Sequence, residues 1–284
     1  MTKRIGAHLG TVGGVSNAIE RAHEIGANTL QIFSASPRMW RITRVSDQQA
    51  ERMKMLRATF DVGPLAIHTS YLVNVCSQSE EVREKSIAAF RGEIDRALAL
   101  GAEYLVLHPG SWKGMTRDEG LTLAAESITR AIDGLPWQGT AFNILIENTA
   151  GSEFSLGGNF EQVAELVARL RSTAPVNVCL DTCHTHVAGY DLVTPEGYEE
   201  TMGMIQATMG FDAVKVWHCN DAKAARGSKL DRHEHLGEGT MGIEPFRRLV
   251  NDARFVHSAF IAETPVEEPA DEVRTVKVLQ GLVE

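Results

Sequence analysis

Short apolar runs alternate with longer amphipathic stretches along the whole chain. The runs are RIGAHLG (4–10), TLQIFSAS (29–36), LAIHTSYL (65–72), YLVLHPG (104–110), NILIENT (143–149), VNVCLDTCH (176–184), VKVWHCND (214–221) and FIAETP (260–265). Each is apolar throughout rather than alternating, as parallel strands covered on both faces are. Between them the spacing predicts helices over 16–26, 47–59 and 79–100, and near 117–133, 160–171, 195–209, 244–252 and 268–283. Ser16 is the expected N-cap of the first, which closes at Gly26; Asp47 opens the second, and Gly101 closes the third. Strand followed by helix, repeated through the chain, predicts a closed (β/α)8 TIM barrel of α/β class rather than an open sheet. No linker or shift in composition divides it, so residues 1–284 read as one domain.

Composition agrees with this pattern. The 284 residues are 43% hydrophobic and 23% charged, without a low-complexity tract. One such barrel takes roughly 250 residues and buries enough surface to fold without staples. No apolar run approaches the ~18 residues of a membrane span. The opening MTKRIGAHLG has no apolar signal core. The expectation is a cytoplasmic protein with no membrane partner. Cys76, Cys179, Cys183 and Cys219 form no Cys-x-x-Cys pair and read as reduced, buried thiols. The net charge of −9 by itself argues against a nucleic-acid partner, because phosphate binding usually needs a basic field.

The chemistry-bearing residues change that picture. His68, His108, Glu147, Asp181, His184, His218 and Glu263 fall at the C-terminal ends of successive predicted strands. The loop after the seventh adds Asp231 and His233. In a barrel all of these converge on the rim that carries active sites. A lone histidine at a strand end is ordinarily a structural residue, and His8, His23, His186 and His257 are read that way. The set is different. Its four carboxylates would crowd together, which is unfavourable unless cations neutralise them. Mixed imidazole and carboxylate donors suit zinc or manganese. Nine donors exceed one tetrahedral ion, so two or three ions with a bridging carboxylate are implied. Clustered ions point to hydrolysis of a phosphate ester.

The strings HTSYLVN (68–74), VLHPGS (106–111), IENTAG (146–151), LDTCHTHVAGYD (180–191), HCNDAKAARGSKLDRHEHLGEG (218–239) and AETP (262–265) closely resemble the bacterial endonuclease IV family of apurinic/apyrimidinic (AP) endonucleases. The likeness runs nearly end to end. It implies three zinc ions, with manganese acceptable at one site. His68 and His108 would hold the first, with Glu147 bridging to a second completed by Asp181, His218 and Glu263. His184, Asp231 and His233 would hold the third. The implied catalytic residue is Glu147, orienting a hydroxide that attacks the phosphodiester 5′ to an abasic site. The products would be a 3′-hydroxyl and a 5′-deoxyribose phosphate, with repair of blocked 3′ ends as a second activity.

The same resemblance assigns DNA contacts. SASPRMWR (34–41) resembles the family's DNA-penetrating loop, in which Arg38 would insert at the lesion and Trp40 would pack beneath. Tyr71 would fill space in the bent duplex. Lys113, Lys223, Arg226, Lys229 and Arg232 are candidate phosphate contacts in rim loops. Met39 stands where the family commonly has Gln, and Ser152 and Glu153 where it commonly has Gln-Gly. These departures bear on affinity and substrate range, and neither removes a proposed ligand. The implied partner is double-stranded DNA with abasic sites or blocked 3′ ends. The protein is expected as a monomer, associated with the nucleoid when bound. The alternatives are a xylose-isomerase-like sugar isomerase or epimerase and a catalytically dead damage-binding barrel. The first has no need of an Asp-Arg-His segment after strand seven or an Arg-Trp loop after strand two. The second should show substituted ligands.

Overall fold

The computed structural model describes residues 2–40 and 43–284. Arg41, the last residue of SASPRMWR, therefore lies outside the described residues. The strands are β1 (Arg4–His8), β2 (Thr29–Phe33), β3 (Leu65–His68), β4 (Tyr104–Leu107), β5 (Asn143–Glu147), β6 (Val176–Asp181), β7 (Val214–His218), β8 (Asp221–Ala222), β9 (His233–Glu234) and β10 (Ala259–Ala262). Eight of them close a barrel in the order β1-β10-β7-β6-β5-β4-β3-β2, every pair parallel. The two-residue strands β8 and β9 form a separate antiparallel ribbon on the rim.

The outer ring is α1 (Asn17–Glu24), α2 (Asp47–Phe60), α3 (Glu80–Leu100), α4 (Arg117–Ile132), α5 (Phe160–Leu170), α6 (Thr182–Ala188), α7 (Pro195–Thr208), α8 (Glu244–Asn251) and α9 (Pro269–Gly281). Their ends follow local chemistry. Ser46, Ser79, Thr116, Asn159 and Thr194 each accept a backbone N–H of the first turn. Gly101 ends α3 in the left-handed conformation at φ 67°. Apolar faces of these helices meet the outward strand residues in one core around Ile19, Leu30, Met53, Phe90, Leu166 and Phe246.

Inside the barrel lies a second, smaller apolar layer of Ala66, Val106, Leu145, Cys179, Val216, Ala259 and Ile261. The interior is a filled plug rather than a pore. Strand β1 reaches β2 closely because position 6 is glycine: a Cβ there would sit 1.9 Å from the Thr29 carbonyl oxygen.

Three sequence expectations are corrected. Strands run shorter than the apolar pattern, because the rim residues that follow them are loop. The sixth run does not continue to His184: β6 stops at Asp181, whose carboxylate accepts the His184 N–H at 2.8 Å and starts α6. Ser16 does not cap α1; its own backbone is already helical and its side chain makes no capping bond. The four cysteines are free and buried, and burial pushes the Cys76 thiol up to about 12. Among the described residues no helix is long and apolar enough to cross a membrane.

Candidate metal centre

Strand geometry dictates which side chains enter the barrel mouth. Successive strand residues point to opposite faces, so a residue two positions beyond an inward one is also inward. Six of the seven members of the apolar plug are followed in this way by a polar donor. Ala66 precedes His68, Val106 His108, Leu145 Glu147, Cys179 Asp181, Val216 His218, and Ile261 Glu263. Register sets Asp181 beside His218, while His68 pairs with Val106 and Glu147 with Cys179, so the donors step around the mouth. Above the plug these six strands present only imidazole and carboxylate, and β2 adds the amide of Gln31. His184 joins these donors from α6 and His233 from β9, and Asp231 from the loop between β8 and β9.

Besides two overlapping groups that include Cys179 or Cys183, three groups of side chains bring their donor atoms within 4.8 Å of one another. These are His68, His108 and Glu147; then Glu147, Asp181, His218 and Glu263; then His184, Asp231 and His233. Glu147 belongs to two of them and is fully buried. One of its oxygens lies 3.2 Å from His68 Nε2 and 2.8 Å from His108 Nε2; the other is 3.0 Å from His218 Nδ1. Asp231 spans His184 Nε2 at 3.1 Å and His233 Nε2 at 3.3 Å. The mouth above is a cavity of about 420 Å³ bordered by Tyr71, Arg232 and Val266 as well as His68, His108, His184, Asp231, His233 and Glu263.

The rings are oriented from behind. His68 Nδ1 donates to the Thr69 carbonyl at 2.8 Å, and His184 Nδ1 to that of Asn148 at 2.9 Å. His233 Nδ1 lies 3.1 Å from the Glu263 carbonyl. Each bond consumes one ring N–H, so that in the neutral ring the other nitrogen's lone pair faces the carboxylates. His218 is turned the other way. Its Nε2 donates to Gln31 Oε1 at 2.9 Å, which leaves Nδ1 inward, 3.3 Å from Glu263. The carboxylates are held as well: Asn220 Nδ2 donates to Asp181 at 2.5 Å, and Gln31 Nε2 donates to Glu263. Asn148 and Asn220 also hold the strand ends, accepting the Asp181 and Glu263 N–H groups, each at 2.7 Å.

Electrostatics shows what this arrangement lacks. Among the described residues Glu147, Asp181, Asp231 and Glu263 have no lysine or arginine partner; their ionic partners are all imidazoles. Burial opposes the charge on His68, yet Glu147 and Glu263 outweigh it and raise the ring to about 9. His233 is raised to about 9 in the same way, against its burial, chiefly by Asp181 and Asp231. Burial pushes Glu147 up, but His108 and His218 hold it well below the usual carboxylate range. Protons thus stand in for cations at this site. His233 Nε2 is buried and, although 3.3 Å from Asp231, makes no well-aligned hydrogen bond. Such an imidazole nitrogen beside carboxylates that no lysine or arginine neutralises is the donor set a divalent metal requires, so the residues fit metal binding.

The residues assigned to DNA lie around the mouth. Arg38, Met39, Trp40 and Tyr71 are exposed on the loops after β2 and β3, with Trp40 and Met39 roofing a small hollow over Glu93 and Arg96. Lys113, Lys229 and Arg232 are exposed in rim loops; Arg226 is engaged with Asp191 at 2.5 Å, and Lys223 lies 3.7 Å from Glu234. Ser152 borders a hollow beside the mouth, and Glu153 is exposed. Several site residues escaped the sequence. His8, read as structural, lines the mouth 3.4 Å from Glu263. Gln31 sits inside an apolar strand and carries no motif. Asn148 and Asn220 lie within strings already singled out, IENTAG and HCND, where the residue after a strand-end donor is a natural place for its support.

A (β/α)8 barrel with clustered imidazole and carboxylate groups at its mouth defines a metal-dependent class of barrel. The xylose isomerase-like TIM barrel family matches residues 19–280. A "Probable endonuclease 4" from Solibacter usitatus is 45% identical over 98% of this chain and 96% of its own, and one from Haloarcula marismortui is 39% identical over 98% and 99%. The crystal structure of endonuclease IV from Thermus thermophilus superposes with a TM-score of 0.88, at 35% identity over 98% of both chains. The chain belongs to the endonuclease IV family of xylose isomerase-like TIM barrels. A D-tagatose 3-epimerase-like protein, at 19% identity and a TM-score of 0.72, shares the fold.

Proposed function

We propose that this protein is a metal-dependent DNA-repair endonuclease that hydrolyses the phosphodiester bond immediately 5′ to an abasic site. It leaves a 3′-hydroxyl and a 5′-deoxyribose phosphate, and it clears blocked 3′ ends by the same hydrolysis. The observation that carries this reading is the set of three donor groups at the barrel mouth, two of them joined through Glu147, in a chain of the endonuclease IV family. The sugar-epimerase alternative has support at the level of the fold alone.

His68, His108 and Glu147 would hold one zinc; Glu147, Asp181, His218 and Glu263 a second; His184, Asp231 and His233 a third, with manganese acceptable at one position. Such ions activate water, neutralise phosphoryl oxygens and stabilise the departing 3′ oxygen. The chain's own residues supply the rest. Glu147, anchored on the barrel floor, is the catalytic residue that orients the attacking water. His68, His184, His218 and His233 arrive with one ring nitrogen already committed, so their donors need little reorganisation. Arg38, Trp40 and Tyr71 wedge the duplex at the lesion. An abasic nucleotide has no base to unstack, which makes its displacement cheaper than that of an intact one. Lys113, Lys229 and Arg232 hold backbone phosphates, and Arg226 does so after exchanging Asp191 for phosphate. Residues 1–284 act as one barrel domain, a monomer working on chromosomal DNA in the cytoplasm.

The test is incision of an end-labelled duplex carrying one abasic-site analogue, with metal analysis of the same sample. Cleavage on the 5′ side with a 3′-hydroxyl product and about three zinc ions per chain is expected. A metal-loaded protein that left this duplex intact would overturn the proposal.

A further inference from the structure

Between β8 and α8 the chain makes a long excursion that carries Asp231 and His233, two of the three members of one donor group. A rim loop of this length must be fixed by something other than helix or barrel. The β8–β9 pairing fixes part of it, aligning Ala222 with His233, and Lys223 N–H adds a bond to the Arg232 carbonyl at 2.9 Å. A two-residue ribbon is too short to hold by itself.

The Gly227 and Lys229 N–H groups reach the His186 and Val187 carbonyls at 3.2 and 2.9 Å, and the far end of the excursion converges on one carboxylate. Asp221 is fully buried, has no lysine or arginine partner among the described residues, and belongs to none of the candidate metal groups. Its Oδ1 accepts the N–H groups of Ala222 at 2.7 Å and Met241 at 3.0 Å. Its Oδ2 accepts those of Gly237 and Gly239, each at 3.0 Å. One side chain at the start of the excursion therefore gathers the amides of its far end. The fit is tight: a Cβ on Gly239 would lie 2.4 Å from Asp221 Oδ1 and 2.5 Å from the Ala222 carbonyl oxygen. Thr240 reinforces the closure, its N–H reaching the Ala222 carbonyl at 2.8 Å and its hydroxyl the Ala224 carbonyl at 2.8 Å.

We propose that Asp221 is the positioning residue of the third metal group, acting through the loop it ties rather than by touching metal or substrate. Charge is suited to the task, because a carboxylate accepts from four N–H groups where a neutral amide would present a donor to some of them. The inference rests on the metal reading above for what the loop carries, but its structural half does not.

The test uses the full chain with Asp221→Asn and, independently, Gly239→Ala, which crowds the carboxylate without removing it. Amide exchange of residues 223–241 is followed with and without zinc, metal per chain is measured after dialysis, and the visible absorbance of the cobalt-loaded protein is recorded. Exchange of the Gly237, Gly239 and Met241 amides should quicken at least about tenfold. About one metal equivalent should be lost, with the matching share of the cobalt spectrum, while exchange across the barrel strands stays as in the parent. Unchanged loop exchange in a folded variant overturns the proposal. Loss of metal from all groups together does so too, since Asp221 would then support the whole mouth. If the parent itself binds no metal, the metal reading fails, and the exchange measurement still decides whether Asp221 ties the loop.

Discussion

Replacing Gln31 with leucine isolates the support behind the middle donor group. Gln31 is fully buried; its Oε1 accepts from His218 Nε2 at 2.9 Å while its Nε2 donates to Glu263. Leucine keeps the volume and removes these bonds, along with the 3.0 Å contact between Gln31 Nε2 and His8 Nδ1. His218 then has a buried N–H without an acceptor, at a cost of about 1–3 kcal/mol, and its ring is free to turn Nδ1 away from Glu147 and Glu263. Loss of an outer partner of this kind typically weakens metal binding by about 10–100-fold, which is about 1.4–2.8 kcal/mol. Because both released residues serve the same group, the upper part of that range is expected. Competition with a chromophoric chelator should show one zinc released at lower chelator concentration than in the parent, with the others unmoved. Unchanged affinity for all ions would refute the argument that Gln31 sets the His218 orientation.

Arg38→Ala should lower incision of abasic duplex at least about tenfold more than hydrolysis of a small phosphodiester; equal losses would mean that Arg38 is no lesion wedge. Arg96 is buried between two rim loops, donating to Ser34 Oγ at 2.9 Å and the Thr43 carbonyl at 3.2 Å, 4.0 Å from Glu93, which accepts the Ser70 N–H at 3.0 Å. Arg96→Ala strands the Glu93 charge and should cost about 3–5 kcal/mol in denaturant unfolding, whereas the double replacement Glu93→Gln with Arg96→Met should cost clearly less. Metal uptake should release protons at pH 7, because His68 and His233 are raised to about 9 in the metal-free site and must be neutral to bind. The same raised values stabilise the metal-free protein fully below the unfolded value near 6.5, and that contribution is lost as pH rises through about 9. The melting temperature of chelator-treated protein should therefore fall between pH 7 and 9 while that of the zinc-loaded protein does not; parallel curves would contradict the proton-for-metal exchange.

The barrel and its donors were legible because both depend on short-range periodicity. Continuous apolar runs mark strands buried on both faces, and the first polar residue past each inward position lands on the rim, as His68, His108 and Glu147 do. The break between β6 and α6 was not legible, because LDTCHTH follows the apolar run with no glycine or proline to mark its end; the signal lay in Asp181 three residues before His184, a capping spacing hidden by the metal-ligand types themselves. Gln31 and His8 were missed for a different reason. Their role comes from closure of the barrel, which sets β1 beside β10 and lets Gln31 on β2 reach His218 and Glu263, and this leaves no trace in local sequence. Arg226 shows the opposite limit, since sequence places it in a rim loop but does not reveal that Asp191 already holds it.

The seam where β10 pairs with β1 has a consequence for how the protein is made. Arg21 bonds to Glu272, and Gln280 to the Gly26 carbonyl, so the two ends of the chain lock together. Glu263 follows the last barrel strand, while its partners Glu147, Asp181 and His218 emerge from the ribosome long before it. A growing chain therefore displays imidazoles and carboxylates without the strand that closes the ring around them. Only after synthesis passes Glu263 can the mouth take its final shape. Ions captured earlier would meet an incomplete set of donors and exchange freely. The complete set of donors therefore exists only in the finished barrel.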